Sequence, residues 1–222
     1  MKNNFLFLLV FPFVLWGCSG GSESKVTVNT TDTTINYVDK ADANIKKVEL
    51  KSAIIHMKSS ALGVSQSIVI YMDNFGNKQA TELTQEMFGK KIKQRTLNDT
   101  AFMYSYNMDE KQGKKTKLDK NNPDNINFNA ITREIAAKFK IKKTGTAEIL
   151  GKKCQVFSVE YPAARLKATN FIYKGIPLKV ESSISGISIT MEATKIEENV
   201  AIDPVVFEIP TKVIFNEVTS IK

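Results

Sequence analysis

One histidine, one tryptophan and two cysteines stand in a chain of 222 residues. Such scarcity leaves little for a histidine-, cysteine- or metal-based mechanism. A metal site needs three or four His, Cys, Asp or Glu donors at close spacing, and no such cluster occurs in the sequence. A cysteine nucleophile needs a base and a third group to orient it. Cys154 and His56 instead lie in separate strand-like runs, with neither a third partner nor a strained glycine turn. The stretch from Gly145 to Lys153 fails as a phosphate loop, because five residues rather than four separate the glycines and Lys153 occupies the Ser/Thr position. Glu197 and Glu198 fall in a polar stretch and read as solvated carboxylates. Long apolar runs are also missing. Residues 5–16 are too short to span a bilayer, which takes about 20 residues, and Pro12 interrupts them. The sequence therefore reads as a non-enzyme without cofactor or metal.

Lysine and arginine outnumber aspartate and glutamate by 31 to 23, a formal charge of +8. Nucleic-acid binding needs a motif as well as charge, and none is present, so the excess reads as a solvated surface. Lys2, the apolar residues 5–16 and the small Gly17 have the layout of a secretory signal peptide. The stretch Leu15-Trp16-Gly17-Cys18 resembles the lipobox of bacterial lipoproteins, with Trp16 bulkier than the usual residue before the glycine. The resemblance implies cleavage before Cys18, a diacylglycerol on its thiol and further acylation, for instance by palmitate. The partner is then a bacterial membrane. Ser19, rather than aspartate, resembles the outer-membrane sorting pattern, and Glu23 stands alone where surface-exported relatives carry a run of acids. The expected location is the outer membrane, facing the periplasm. Cys154 is left without a partner and is expected to be buried.

Residues 1–17 thus form a signal peptide. Residues 18–44, polar and without sustained apolar period, read as an acylated N-terminus and flexible tether, although 34–38 alternates enough for an edge strand. Residues 45–222 form one domain. Residues 48–58 and 64–72 alternate as strands. Residues 78–88 carry helix-favouring Glu82, Gln85 and Glu86 but read as a strand between strands. Residues 92–97 and 101–108 follow, the latter with Phe102, Tyr104, Tyr106 and Met108 on one face. Gly113-Lys114-Lys115 reads as a turn. The period then changes: Phe128, Ile131, Ile135 and Phe139 recur at helical spacing, with Asn127 or Asn129 to cap a helix near 128–140. Strands resume at 154–161 and 167–173. Residues 176–184 and 187–193 alternate about Ser185-Gly186. A two-residue loop there puts Ile184 opposite Ile187, Val180 opposite Met191, and Lys179 opposite Glu192.

Four fragments, at 145–154, 173–179, 191–196 and 207–210, resemble small bacterial outer-membrane lipoproteins and the LolA-like lipoprotein-sorting superfamily, across residues 48–210. Tyr173 stands where relatives often carry tryptophan. The resemblance implies an α+β fold, mainly antiparallel β: a curved, incompletely closed barrel wrapped around one main helix. It also implies an apolar ligand, an acyl chain, lipid or lipoprotein, held between sheet and helix. The candidate lining is Ile68, Ile70, Met72, Phe102, Tyr104, Phe128, Ile135, Val180, Ile189 and Met191, and the same residues suffice for an ordinary core. The alternative is an interaction protein whose lysine-rich turns at Lys90-Lys91, Lys114-Lys115 and Lys152-Lys153 meet anionic lipid or glycan. Nothing in the sequence fixes an oligomeric state. Stable anchoring needs more than one acyl chain. A Cys18→Ala variant is therefore expected to leave the membrane pellet on fractionation, and its retention there would overturn the lipobox reading.

Overall fold

A computed structural model describes residues 26–39, 45–87, 89–99, 101–118 and 126–218. Cys18, the signal peptide and residues 40–44 lie outside the described residues.

Alternating side chains give strands, and short polar turns make them antiparallel neighbours. β1 (Ala53–Ala61), β2 (Val64–Asp73), β3 (Lys78–Met87), β4 (Lys90–Asn98), β5 (Phe102–Asn107) and β6 (Gln112–Lys117) form one meander. After α1 (Arg133–Lys138), a second meander follows: β7 (Lys142–Ile149), β8 (Lys152–Tyr161), β9 (Leu166–Tyr173), β10 (Ile176–Ile184) and β11 (Ile187–Glu198). β1 and β11 pair antiparallel and fuse the two into one sheet, and β12 (Ile214–Val218) adds in parallel to β6. The order is β12-β6-β5-β4-β3-β2-β1-β11-β10-β9-β8-β7. The sheet is curved and stays open.

The segment 78–87 is a strand despite its helix-favouring residues, because it pairs along its length with β2 and β4. The hairpin register is as expected, with Ile184 opposite Ile187, Val180 opposite Met191 and Lys179 opposite Glu192. Three expectations need correction. Lys114 and Lys115 lie in β6, not in a turn. Residues 48–52 precede β1 rather than belonging to it. The main helix shrinks to the six residues of α1, and the physical cause is competition for backbone groups. The Asn127 side chain accepts from the Asn129 N–H, closing a local turn, and the Val38 N–H donates to the Ile131 carbonyl. Thr132, not Asn127 or Asn129, caps the helix by accepting from the Ile135 N–H at 3.1 Å. Lys140, at φ 43°, ends it.

Successive turns fall at opposite ends of the sheet. One end, the base, carries the turns at 74–77, 150–151 and 174–175. The other, the rim, carries those at 62–63, 162–165 and 185–186. The largest core gathers toward the base from Ala53, Ile55, Ile70, Met72, Ile149, Cys154, Val156, Phe171, Ile176 and Leu178. Val48 and Leu50 close it, held by hydrogen bonds from the Val48 N–H to the Phe75 carbonyl and from the Glu49 N–H to the Lys174 carbonyl. On β8 and β9 the alternate residues Phe157, Val159 and Ile172 face the other way and pack with Ile131, Ala136 and Phe139. A third core, Ala80, Leu97, Tyr104 and Tyr106, lies opposite Ile70 and Met72 and is covered by Val206, Phe207, Val213 and Phe215. Arg95 pins that cover by donating to the Val206 carbonyl while pairing with Glu82 at 3.3 Å.

Residues 26–39, read from sequence as part of the tether, run along the outer edge of β7. Asn29 and Thr146 exchange backbone hydrogen bonds of 2.7 and 2.8 Å, Asp32 pairs with Lys143 at 2.7 Å, and Val26 and Val28 pack on the base core. Gly145 makes this approach possible. A Cβ there would collide with the Asn29 carbonyl oxygen, and its φ of +145° disfavours any side chain. Gly145→Ala is expected to cost about 1–3 kcal/mol and to speed hydrogen exchange at the Thr146 amide. Gly186→Ala, where a Cβ meets nothing within 4 Å and only the φ of +89° opposes a side chain, is expected to cost less, in chemical denaturation of both variants.

Candidate functional site

Strand pairing without interruption through the rim half sets rows of side chains that share one face. One row runs Phe157, Asn170, Val180, Met191, Ser59, Gln66, Gln85, Ile92. The next toward the rim runs Val159, Ala168, Ser182, Ile189, Ala61, Val64. The last is Tyr161, Leu166, Ile184, Ile187. Phe157 and Val159 lie in the cluster that also contains Ala136 of α1. Beyond them Val180, Ile184, Ile187, Ile189 and Met191 are half-buried, as are Val64, Leu83 and Ile92. Val180, Ile184, Ile187 and Ile189 belong to none of the three cores. Within this floor Gln66 Nε2 donates to Gln85 Oε1 at 2.8 Å, and the Ser182 hydroxyl donates to the Ile189 carbonyl. The result is a half-buried, largely apolar stretch of sheet face beside the helix cluster, at the rim end of the central strands, called the trough below.

The ten candidate lining residues do not come together. Ile68, Ile70 and Met72 are buried in the base core, whose tightest members are under 2 % exposed. Phe102 and Tyr104 face the opposite side of the sheet under the C-terminal segment. Phe128 and Ile135 pack in the helix cluster. Val180, Ile189 and Met191 line the trough. The missed members, Ile184, Ile187, Val64, Leu83 and Ile92, were visible in the same alternation. What sequence could not supply was which alternating strands lie side by side.

The reverse face of the hairpin is polar. Lys179 lies opposite Glu192 as expected, and only 5 % of its side chain is exposed. Its ammonium lies 5.8 Å from the Phe171 ring centroid, 3.0 Å from Glu181 and 3.4 Å from Glu192. Burial works against its charge, but the hydrogen bond to Glu181 and the two carboxylates outweigh it, leaving the pKa above the ordinary lysine value. At the base, Glu198 binds Lys152 at 2.6 Å and Lys174 at 3.2 Å. The lysine pairs are dispersed: Lys90-Lys91 follow a rim turn, Lys114-Lys115 lie within β6, and Lys152-Lys153 follow a base turn. An open cleft of about 550 Å³ lies at the rim, bordered by Glu160, Pro162, Arg165, Leu166, Lys167 and Ser183.

Among the described residues no group of His, Cys, Asp and Glu is placed to hold a metal, and no helix is long and apolar enough to cross a membrane. Cys154 and His56 are on β8 and β1, four strand spacings apart in the sheet order, about 19 Å at 4.8 Å per strand. His56 is 3.5 Å from Glu197.

No protein-family model matches the chain, and no curated protein matches it. Solved structures do. An uncharacterized conserved protein from Thermus thermophilus superposes with a TM-score of 0.54 at 6 % identity, over 78 % of this chain and 94 % of that one. That likeness is one of fold. MucB in complex with MucA(peri) overlaps with a TM-score of 0.44 at 12 % identity, over 76 % of this chain. The chain spans only 56 % of that protein's length. The Mycobacterium tuberculosis lipoprotein LppX overlaps with a TM-score of 0.39 at 12 % identity, over 70 % of this chain and 90 % of that one.

Burial pushes the Cys154 thiol up from 9.0 to about 11, against a hydrogen bond from the Ile149 backbone. The thiolate is the nucleophile, so the folded protein is expected to resist iodoacetamide at pH 8 and to react at Cys154 in 6 M urea. Rapid labelling of the folded chain at pH 8 would contradict this burial.

Proposed function

We propose that this protein binds an apolar ligand, an acyl chain or a lipid-like molecule, in the trough on the helix-bearing face of the rim half. Its mature form is held to the periplasmic face of a bacterial outer membrane by acyl chains on Cys18. It works by binding, not by catalysis. The observation that carries the reading is the row geometry. Val180, Ile184, Ile187, Ile189 and Met191 share one half-buried face, and four of the five lie outside every core. Apolar side chains on a protein surface are ordinary singly, but a contiguous group marks a place where something else is covered. Burying a Val- or Ile-sized group stabilises by about 1.5–3 kcal/mol, so a chain lying along several of them gains enough to bind while the amide floor stays paired. The lysine-rich reading has weaker support, because the three lysine pairs form no common patch.

The test is displacement of a naphthylamine dye, with fatty acid as competitor. Ile189→Asp and Val180→Asp each place a charge on the trough floor and are expected to weaken dye binding at least tenfold, with thermal stability little changed. Met57→Ala, in the base core, is expected to do the reverse: to lower stability by about 2–5 kcal/mol and to leave dye affinity nearly intact. Dye binding unaffected by either aspartate, or absent from the wild type, would refute the trough.

A further inference from the structure

The chain meets the folded domain at the base, close to Cys18 in sequence. Asn29 pairs with Thr146 antiparallel, so from Asn29 back to Val26 the backbone runs toward Ile149 and the turn at 150–151. Val26 and Val28 are already packed on the core that contains Ala147 and Ile149. Between Cys18 and Val26 there are only eight residue steps. Fully extended they reach about 27 Å, at 3.3–3.6 Å per residue. The ten-residue strands β2 and β8 are themselves about 30 Å long. A leash shorter than the strands cannot bring both ends of the sheet equally near its attachment.

The base also carries groups that a headgroup layer can receive. Leu150 at the turn is 43 % exposed, and Lys46, Lys51 and Lys153 are exposed there. Glu49 and Glu148 are exposed at the same end, and Glu198 is engaged with Lys152 and Lys174, so the charge is a modest positive excess. Each basic side chain near an anionic surface adds to the attraction.

We propose that the domain rests on its own anchoring membrane by the base, with the Leu150-Gly151 turn and Lys153 at the lipid headgroups. The rim and the trough mouth then point into the aqueous compartment. This rests on the acylation of Cys18 proposed above. It has a functional consequence: a ligand reaches or leaves the trough from the water side and not by lateral passage from the leaflet that holds the protein.

The experiment uses the full acylated chain, purified in detergent and reconstituted into phosphatidylethanolamine–phosphatidylglycerol vesicles carrying a headgroup nitroxide. A fluorophore is attached at the base through Leu150→Cys or, as a second base position, Lys153→Cys, and at the rim through Ser185→Cys. Cys154 is buried and stays unlabelled. Both base labels are expected to be quenched at least threefold more than the rim label. Inserting twenty Gly/Ser residues after Ser24 is expected to shrink that difference. Vesicle flotation is read on the same samples. Protein that floats while base and rim quench equally, or with the rim quenched more, overturns the orientation and leaves the anchor intact. Protein that does not float overturns the anchor and the orientation with it.

Discussion

The pairing of β1 with β11 is the constraint on which the architecture depends. Each meander is built from neighbours in sequence and closes short loops. By contrast, Ala53 through Ala61 against Ile189 through Glu198 joins residues more than a hundred positions apart. The loop-closure cost of such a pair is met before any contact returns it, and pairings of this range slow folding. In return the base core can draw on β1, β2 and β7 to β10 together. Without that ladder Ile55 and Met57 would have half a core, and the rows crossing from Val180 to Gln66 would not exist.

Three covers then protect what the open sheet leaves bare. Residues 45–52 lie across the base, α1 and residues 126–131 cover β8 and β9, and residues 204–215 cover β2 to β5. Each cover is fixed by a specific polar contact as well as by apolar burial. Glu49 binds the Lys174 carbonyl through its N–H, Thr132 caps α1, and Arg95 grips the carbonyl of Val206. Among the described residues the hairpin β10–β11 carries no fourth cover of this kind, and that difference singles out its inner face.

Sequence made the strands legible and the packing partly so. The hairpin about Ser185-Gly186 was readable to the register, because alternation and turn length agree and a one-residue slip would invert every side chain. Lys179 shows the limit: its pairing partner was foreseeable, its burial was not, since Phe171 reaches it only through the β9 register. The helical spacing of Phe128, Ile131, Ile135 and Phe139 correctly marked residues that pack together. It overstated the helix because Val38 and the Asn127 turn take the backbone groups that a longer helix needs. The candidate lining divided among separate cores for a similar reason. Alternation tells which residues share a strand face, while the neighbour of a strand is decided by pairings far away in the chain.

The N-terminal stretch along β7 has one more effect. An open sheet has two outer strands, and a bare outer strand is a template for another chain. On one side the short parallel β12 presents Asn216 and Glu217 to solvent. On the other, Asn29 occupies the hydrogen-bonding groups of Thr146 and Asp32 ties down Lys143. Residues 26–39 thus double as a blocking strip against sheet-to-sheet polymerisation, and a protease nick within residues 30–39 would loosen it and leave β7 ready to recruit a neighbour.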